Sequence, residues 1–483
     1  LSTSLPAERA EALVQYFESK GIPDLYGNPL SLSLFGEVAA VSRELPNSRA
    51  DLLKRACEVM WQEKSDRHDM SALSSIGEDA ALDAAGAAAA ALLLTGSETI
   101  GITRSAAHGA GSLGLPDIQG LPQAIHVRPI IGSRLFTRAH GTTDQVKPVH
   151  RSVAEYLGAR WLARIATNEL QRERLLSFIT IDSGVPASLR GLYAWLPHFD
   201  ARFASTVIAT DPYGLLRYGD ADGLSVNQGR DLLHSLQRLE IENPFFRAED
   251  WTRHSAKGLI HPELRDDIRE ILLSTRTTTH LRSLILEAIR DSRIATDLAS
   301  DLLAILLNEN GREFGFRERH DAASAIMKLR DTQTEWPELC HQLASRNESD
   351  SKRLAVSIMD DVNYVDFSSK QIAEAVLALF DFDKISTDET ESFVPGELYF
   401  VAKNVPASAI EQVLDELSSR LAQVKIDENL DWEQYGELST FINRLIVRRI
   451  EADKPSPRII RNWLGLVSCR PRFVGDESQH IAV

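Results

Sequence analysis

Cysteine is scarce in this sequence: its 483 residues contain only Cys57, Cys340 and Cys469. The three lie far apart and are odd in number, so the sequence predicts neither a disulfide framework nor closely spaced zinc ligands. Unpaired cysteines are typical of proteins that stay in the reducing cytosol. We therefore expect a cytoplasmic protein with no metal site built on cysteine.

Long apolar runs and an excess of basic residues are also lacking. The most apolar run, Ala84–Leu94, is about half of the roughly 20 residues that a membrane-spanning helix needs. Leu1–Ala7 does not have the pattern of a secretory signal. Acidic residues outnumber basic residues by 69 to 53, and the net charge is −16. This balance disfavours binding to nucleic acids or anionic membranes, so we expect a soluble protein that binds neither.

Motifs for phosphate binding and catalysis are missing as well. The sequence contains no G-x-x-x-x-G-K-[ST] motif and no apolar strand ending in paired acids for magnesium. Gly109–Gly114 formally matches G-x-G-x-x-G, but no apolar strand precedes it and Pro116 stands where a helix should begin. We predict a flexible loop there. Asp381–Glu391 fails the calcium-loop pattern because Ile385 occupies a ligand position. The sequence therefore predicts an acidic loop, no metal site and no enzymatic activity of this chain.

Helical periodicity dominates the second half of the sequence. From Gly184 to about Leu466, apolar residues recur every three to four positions in segments separated by Pro, Gly and Asp. No strict repeat length is present, so the pattern predicts an irregular α-solenoid of HEAT-like helix pairs. The segments with this pattern are 189–196, 232–239, 268–272, 281–288, 298–306, 322–329, 372–380, 410–424 and 438–451.

One group of aromatic residues in this half has two interpretations. Phe245, Phe246 and Trp251 lie beside Arg247 and Arg253 in the sequence. Aromatic and arginine side chains together are typical of recognition surfaces. Such residues are also common in the core between repeats.

The stretch Ser133–Ile165 predicts a β-hairpin that leads directly into a long amphipathic helix. Turn residues at 140–144 separate two short apolar arms, and a helical period begins at His150. Ser152 and Glu155 have the spacing of a capping box, which marks a helix start. Upstream, the pattern predicts a helix over Ala80–Leu94 and a short strand near Ile100–Thr103.

Two phrases in this region resemble NACHT-type STAND ATPases, the group that includes the animal NOD-like receptors. They are LPNSRADLLKRACEVMWQEKSDRH at residues 45–68 and VHRSVAEYLGARWL at residues 149–162, and they follow each other in the family's order. An earlier N-P-L-x-L at residues 28–32 also resembles the family. The resemblance implies a mainly α fold with four parts. These are the end of a helical subdomain after an NTPase core at 1–45, a winged-helix subdomain with a small β-hairpin at 46–170, an irregular HEAT-like sensor region at 171–470, and a tail at 471–483.

The same resemblance implies roles for two residues. His150 would contact the β-phosphate of bound ADP and hold a closed form, and Pro29 would pack against the adenine. Residue by residue, other interpretations stay open: His150 as a helix cap, and Pro29 as an ordinary proline at a helix start. The cofactors implied are ADP and ATP, with magnesium held by an NTPase core that this sequence lacks.

The function implied is the regulatory and sensing half of an ATPase switch. A protein ligand on the repeats would open the closed form, and the chain would then assemble as a homo-oligomer. Its NTPase core would be a partner, either in cis or in trans. Antiviral defence in bacteria follows by analogy with some family members. The alternative is a scaffold that binds proteins without nucleotide. Binding of DNA by the hairpin is disfavoured by the acidic balance, although Arg134, Arg138 and Lys147 lie there.

Overall fold

The structure is a computed structural model with 22 α-helices and one four-stranded β-sheet in its described residues, which confirms the mainly helical class with a small sheet. Besides Gln15, the described residues are 48–62, 75–103, 111–139, 144–182, 184–248, 257–290, 292–309, 313–329, 334–380, 397–422, 436–452 and 455–464. The predictions for residues 1–45, including Pro29, for the loop at 381–391, and for Trp251, Arg253 and the tail therefore lie outside them. No described helix combines the length and the apolar composition needed to cross a bilayer.

The chain divides into two compact units, Leu1–Asp297 and Leu298–Val483. This division falls inside the region 171–470 that the sequence predicts to be one helical-repeat domain. In the first unit, the elements that surround the sheet are α1 (Arg49–Gln62), α2 (Glu78–Thr95), β1 (Thr99–Gly101), β2 (Ser112–Gly114), α3 (Leu115–Gln119), α4 (Val127–Ile130), β3 (Phe136–Arg138), β4 (Gln145–Pro148) and α5 (Arg151–Ile165).

The sheet has the strand order β2-β1-β4-β3. β3 and β4 form the predicted antiparallel hairpin, with Thr137 opposite Lys147. β1 pairs antiparallel with β4 through Ile100 and Val146, and parallel with β2 on its other side. The predicted hairpin, the strand near Ile100 and the helices on either side are thus confirmed.

The glycine-rich segment differs in part from its prediction. Its last residues, Ser112–Gly114, form strand β2 instead of a loop, and α3 begins directly after them with Pro116 in its first turn. Proline is compatible with that position because the first N–H groups of a helix have no intrahelical partner. α3 is only five residues long.

Helix α2 is the central element of the first unit, because 11 of its 18 residues are buried, and 7 of these 11 are alanine. It packs along α5 at very short range. A Cβ atom built on Gly86 would lie 2.4 Å from the carbonyl oxygen of Leu157, and one built on Gly158 would lie 3.3 Å from the backbone nitrogen of Ala90. The two glycines therefore allow the backbones of α2 and α5 to approach each other closely, which fixes the position of α5.

The rest of the first unit is helical. Its helices are α6 (Glu169–Ile179), α7 (Arg190–Phe199), α8 (Ala204–Thr210), α9 (Pro212–Tyr218), α10 (Val226–Glu242), α11 (Arg265–Leu273), α12 (Thr279–Ile289) and α13 (Arg293–Asp297). α7 packs against α5 and α9, α8 packs against α10, and α11 packs against α12.

The second unit contains α14 (Ala299–Leu306), α15 (Phe316–Ile326), α16 (Trp336–Ala344), α17 (Ser349–Asp361), α18 (Ser369–Ala378), α19 (Glu397–Asn404), α20 (Ile410–Leu421), α21 (Gly436–Ala452) and α22 (Pro457–Leu464). Helices pack in pairs, α14 with α15, α16 with α17, α18 with α20 and α19 with α21. Their apolar faces form a core that includes Val376, Leu414, Phe441 and Trp463. Each of the nine segments with a predicted helical pattern overlaps one of the observed helices.

Candidate functional site at the hairpin–helix junction

The junction between β4 and α5 is only two residues long. Val149 donates its backbone N–H to the carbonyl of Leu135 at 2.9 Å, which extends the hairpin pairing to the last residue before His150. His150 has an extended backbone (φ −148°, ψ 144°), and Arg151 begins the helix. Because Val149 still pairs with the hairpin, His150 is the one junction residue outside both the strand pairing and the helix, and its side chain lies at the helix N-terminus.

His150 caps the helix. Nδ1 of its half-buried side chain accepts a hydrogen bond from the backbone N–H of Ser152 at 3.1 Å. This bond satisfies one of the amides that a helix start leaves without an intrahelical partner. In a neutral imidazole one nitrogen accepts and the other carries the hydrogen. The capping bond therefore places the ring hydrogen on Nε2. The expected capping box of Ser152 and Glu155 is wrong, because His150 is the cap.

Glu155 has a different role, as a link between α5 and α7. Its buried carboxylate binds Arg151 at 2.8 Å, and Arg151 also donates to the carbonyl of Ser188 at 2.7 Å. A Cβ atom on Gly191 would lie 2.2 Å from this carboxylate, so the carboxylate fills the space that the glycine leaves. Burial raises the pKa of Glu155, and the hydrogen bond from Arg151 opposes that shift. Sequence spacing alone could not reveal this role, since it depends on a residue 36 positions away.

Aromatic side chains hold the other side of α5. The ring of Tyr156 lies 5.2 Å from Trp195 and 4.9 Å from Phe199, in edge-on arrangements that aromatic pairs favour. Both partners belong to α7. Any displacement of α7 would therefore act on the second turn of α5, six residues after His150.

A four-residue ion network joins α5 to α2. Arg160 lies 2.5 Å from both Asp79 and Asp83, and Arg164 lies 3.2 Å and 3.0 Å from the same two carboxylates. The two aspartates differ in exposure: the side chain of Asp83 is 8% exposed and that of Asp79 is 79% exposed. In this network, the same two arginines therefore bind one buried and one exposed aspartate.

This difference leads to a testable prediction. Asp83→Asn should lower the free energy of unfolding of the first unit by about 1.5–3 kcal/mol, because it removes the buried charge that both arginines bind. The matched variant Asp79→Asn should cost less than about 1 kcal/mol, since exposed pairs contribute little. Chemical denaturation of both variants measures the difference. Equal losses would show that burial does not determine the strength of this network.

The recognition surface considered for residues 245–253 is not formed by Arg247. Arg247 is 1% exposed and binds Glu287 at 3.0 Å, so it belongs to the core. Phe246 packs against Tyr213 with ring centroids 5.2 Å apart, whereas Phe245 is exposed. Sequence alone does not predict this buried charge, because its partner Glu287 lies 40 residues away on α12.

In the hairpin, Arg138 and Lys147 are exposed on neighbouring strands, and Arg134 donates its backbone N–H to the carbonyl of Met60 at the end of α1. Among the described residues, no cluster of His, Cys, Asp and Glu side chains could hold a metal ion.

Comparison with known proteins gives no match to this chain among protein-family models, curated proteins or solved structures. The function is therefore inferred from the geometry of the junction together with the sequence resemblance.

Proposed function

We propose that this chain is the regulatory and ligand-sensing half of a NACHT-type STAND ATPase switch, in which His150 donates a hydrogen bond to the β-phosphate of ADP. The observation that carries this proposal is the capping bond of His150. It orients the ring and places the hydrogen on Nε2, the nitrogen that would donate to a phosphate oxygen. The amides and the dipole at the start of α5 favour an anion at the same place. ADP would supply the negative charge that this site favours.

The order of elements supports a winged-helix subdomain at 46–170. Helix α2, strand β1, helices α3 and α4, and the hairpin β3–β4 follow one another, and β1 joins the hairpin antiparallel to β4. This is the arrangement expected of a winged helix whose wing is the β3–β4 hairpin. The paired helices of the second unit support the proposal of HEAT-like repeats. Pro29 on the adenine, and a P-loop core that holds magnesium, complete the proposed nucleotide site.

The proposed switch uses α5 as a rigid connection. α5 is held to α2 by close backbone packing and ion pairs, and to α7 by Glu155 and by the aromatic contacts of Tyr156. A protein ligand on the helical repeats would favour the arrangement in which α7 and α5 withdraw His150 from the phosphate. Oligomerisation in the cytoplasm would follow. A role in bacterial antiviral defence rests on family analogy alone.

The test separates capping from phosphate binding. In the protein that contains this chain together with its P-loop core, His150→Ala and His150→Asp are compared with wild type for released ADP and ATP after denaturation. Aspartate is a good N-cap, but its negative charge repels phosphate. We expect both variants to lose bound ADP, whereas only His150→Ala loses about 1 kcal/mol of stability in this chain. Retention of wild-type ADP content by His150→Asp would contradict the proposal.

The alternative is a protein-binding scaffold that works without nucleotide. It is favoured by the capping bond itself, because capping is a sufficient structural reason for His150. Exposed apolar side chains, Ile241 and Phe245 in the first unit and Val365 and Phe400 in the second, could contact partners on such a scaffold. Under this alternative, His150→Asp would behave as wild type in every measurement.

A further inference from the structure

The turn between α17 and α18 holds a tyrosine in an unusual backbone conformation. Asn363, Tyr364 and Asp366 have positive φ angles of 53°, 58° and 63°. Asparagine and aspartate tolerate this left-handed region, but for a bulky residue such as tyrosine it is a genuine outlier. Tyr364 is nevertheless 4% exposed and belongs to the core of the second unit. Such strain persists only where the surroundings hold the residue in place.

The Tyr364 hydroxyl is one of the groups that hold it. Its oxygen lies 2.9 Å from Oδ1 of Asp360 and 2.9 Å from the carbonyl oxygen of Val401 on α19. A hydroxyl has a single hydrogen, and an ionised carboxylate can only accept. If Asp360 is ionised, the single hydroxyl hydrogen can therefore bridge only one of these two short oxygen–oxygen contacts. The other contact then has no hydrogen between its oxygens.

A proton on Asp360 resolves this conflict. The acid Oδ1–H then donates to the Tyr364 oxygen, and the Tyr364 hydroxyl donates to the carbonyl of Val401. The other carboxyl oxygen, Oδ2, accepts from Nδ2 of Asn404 at 3.1 Å. Each of these three hydrogen bonds then has one donor and one acceptor. These hydrogen bonds connect the end of α17 to two residues of α19.

We propose that Asp360 and Tyr364 form a pH-sensitive latch between α17 and α19, closed while Asp360 carries a proton and weakened once it is ionised. The latch lies in the second unit and does not depend on the proposed nucleotide site. It would set the position of α19 relative to the α17–α18 turn. Each of these elements presents one exposed apolar side chain, Phe400 and Val365 respectively.

The surrounding charges agree with this proposal. Burial raises the pKa of Asp360, and the charge of the adjacent Asp361 raises it further. The hydrogen bonds that Asn404 and Tyr364 would donate to an ionised Asp360 oppose the shift. From α15, His320 binds Asp361 at 2.8 Å, and from α21, Arg448 faces Tyr364. Among the described residues, α16 and α18 contribute no charge that acts on Asp360.

The sign of the pH dependence follows from this raised pKa. Folded Asp360 holds its proton at pH values where the unfolded chain, with a pKa of 3.8, has already released it. The stabilisation from the latch is therefore complete below 3.8 and is lost as pH rises through the folded pKa. Within that window the opening equilibrium should change by up to about tenfold per pH unit, as linkage to one proton requires.

Hydrogen–deuterium exchange of the full chain tests the latch. The readout is the protection of the α19 amides at several pH values, corrected for intrinsic exchange rates. In wild type, we expect protection to fall as pH rises. Asp360→Asn should keep α19 protected at every pH, because its amide donates to Tyr364 and accepts from Asn404 like the protonated acid. Tyr364→Phe keeps the ring but should give low protection that does not change with pH.

Asp350→Asn is the matched control, since it removes a carboxylate from the other end of α17, and it should keep the wild-type pH dependence. The proposal is overturned if wild-type protection of α19 does not depend on pH. It is equally overturned if Asp360→Asn or Tyr364→Phe keeps the wild-type dependence, or if Asp350→Asn abolishes it.

Discussion

Glu287→Ala should destabilise the first unit by about 3–5 kcal/mol, the largest loss that we expect from any single substitution in this chain. The substitution leaves the guanidinium of Arg247 in the core without the carboxylate that binds it. In the native structure Nη2 of Arg247 lies 3.0 Å and 3.3 Å from the two oxygens of Glu287, and the arginine side chain is 0% exposed. A buried charge that loses its partner costs far more than the pair itself contributes.

Two further variants test whether this loss comes from the buried charge of Arg247 once its carboxylate is removed. The double variant Arg247→Met with Glu287→Leu replaces both charges with apolar side chains and should be more stable than Glu287→Ala alone. Asp267→Asn breaks the more exposed pair with Arg230 at 3.1 Å and should cost less than about 1 kcal/mol. Denaturant unfolding of the wild type and these three variants measures the differences. If the double variant were as unstable as Glu287→Ala, lost packing and not the buried charge of Arg247 would be the cause.

Gly86→Ala is the second substitution with a large expected effect. Two contributions oppose each other at this position. Alanine favours helix over glycine by about 1 kcal/mol. The added Cβ would, however, lie 2.4 Å from the carbonyl oxygen of Leu157 and 2.8 Å from Cβ of Trp161, and neither atom can move without its helix. Overpacking of this kind costs typically about 1–3 kcal/mol and occasionally more.

We expect the cost of overpacking to exceed the gain in helix propensity. The free energy of unfolding should therefore fall by about 2 kcal/mol, with a displacement of α5 from α2. The control is Gly223→Ala, in the same unit, where an added Cβ meets nothing within 4 Å. It should change stability by no more than about 0.5 kcal/mol. Thermal unfolding of both variants decides between the two contributions. A stabilised Gly86→Ala protein would mean that α2 and α5 separate easily, which would also contradict the role of α5 as a rigid connection.

The local elements of this fold could be predicted from sequence because their signals are local. Turn residues and a change of period near His150 predict the hairpin and α5, and both signals depend on neighbours within a few positions. The helices of the second half followed from apolar spacing in the same way. The junction that carries the proposed site was therefore visible without a structure, including the position of His150 between strand and helix.

The partners of individual side chains could not be predicted in this way. Glu155 has the spacing of a capping residue, yet it fills the space above Gly191. Arg247 lies beside aromatic residues, a pattern compatible with a surface or with the core, and only the structure pairs it in the core with Glu287. Tyr364 has no sequence signal for a left-handed backbone. In each case the deciding partner is distant in sequence or the conformation is imposed by packing.

By itself, the sequence determined the mainly helical class and the hairpin that leads into α5, because periodicity and turn chemistry act over one or two turns of chain. The candidate role of His150 came from the family resemblance. Only the tertiary structure decided that His150 caps α5 through Nδ1, that α2 and α5 meet at Gly86 and Gly158, and that the chain divides after Asp297. These features depend on burial and on contacts between distant segments. Such contacts arise only when the helices have packed together.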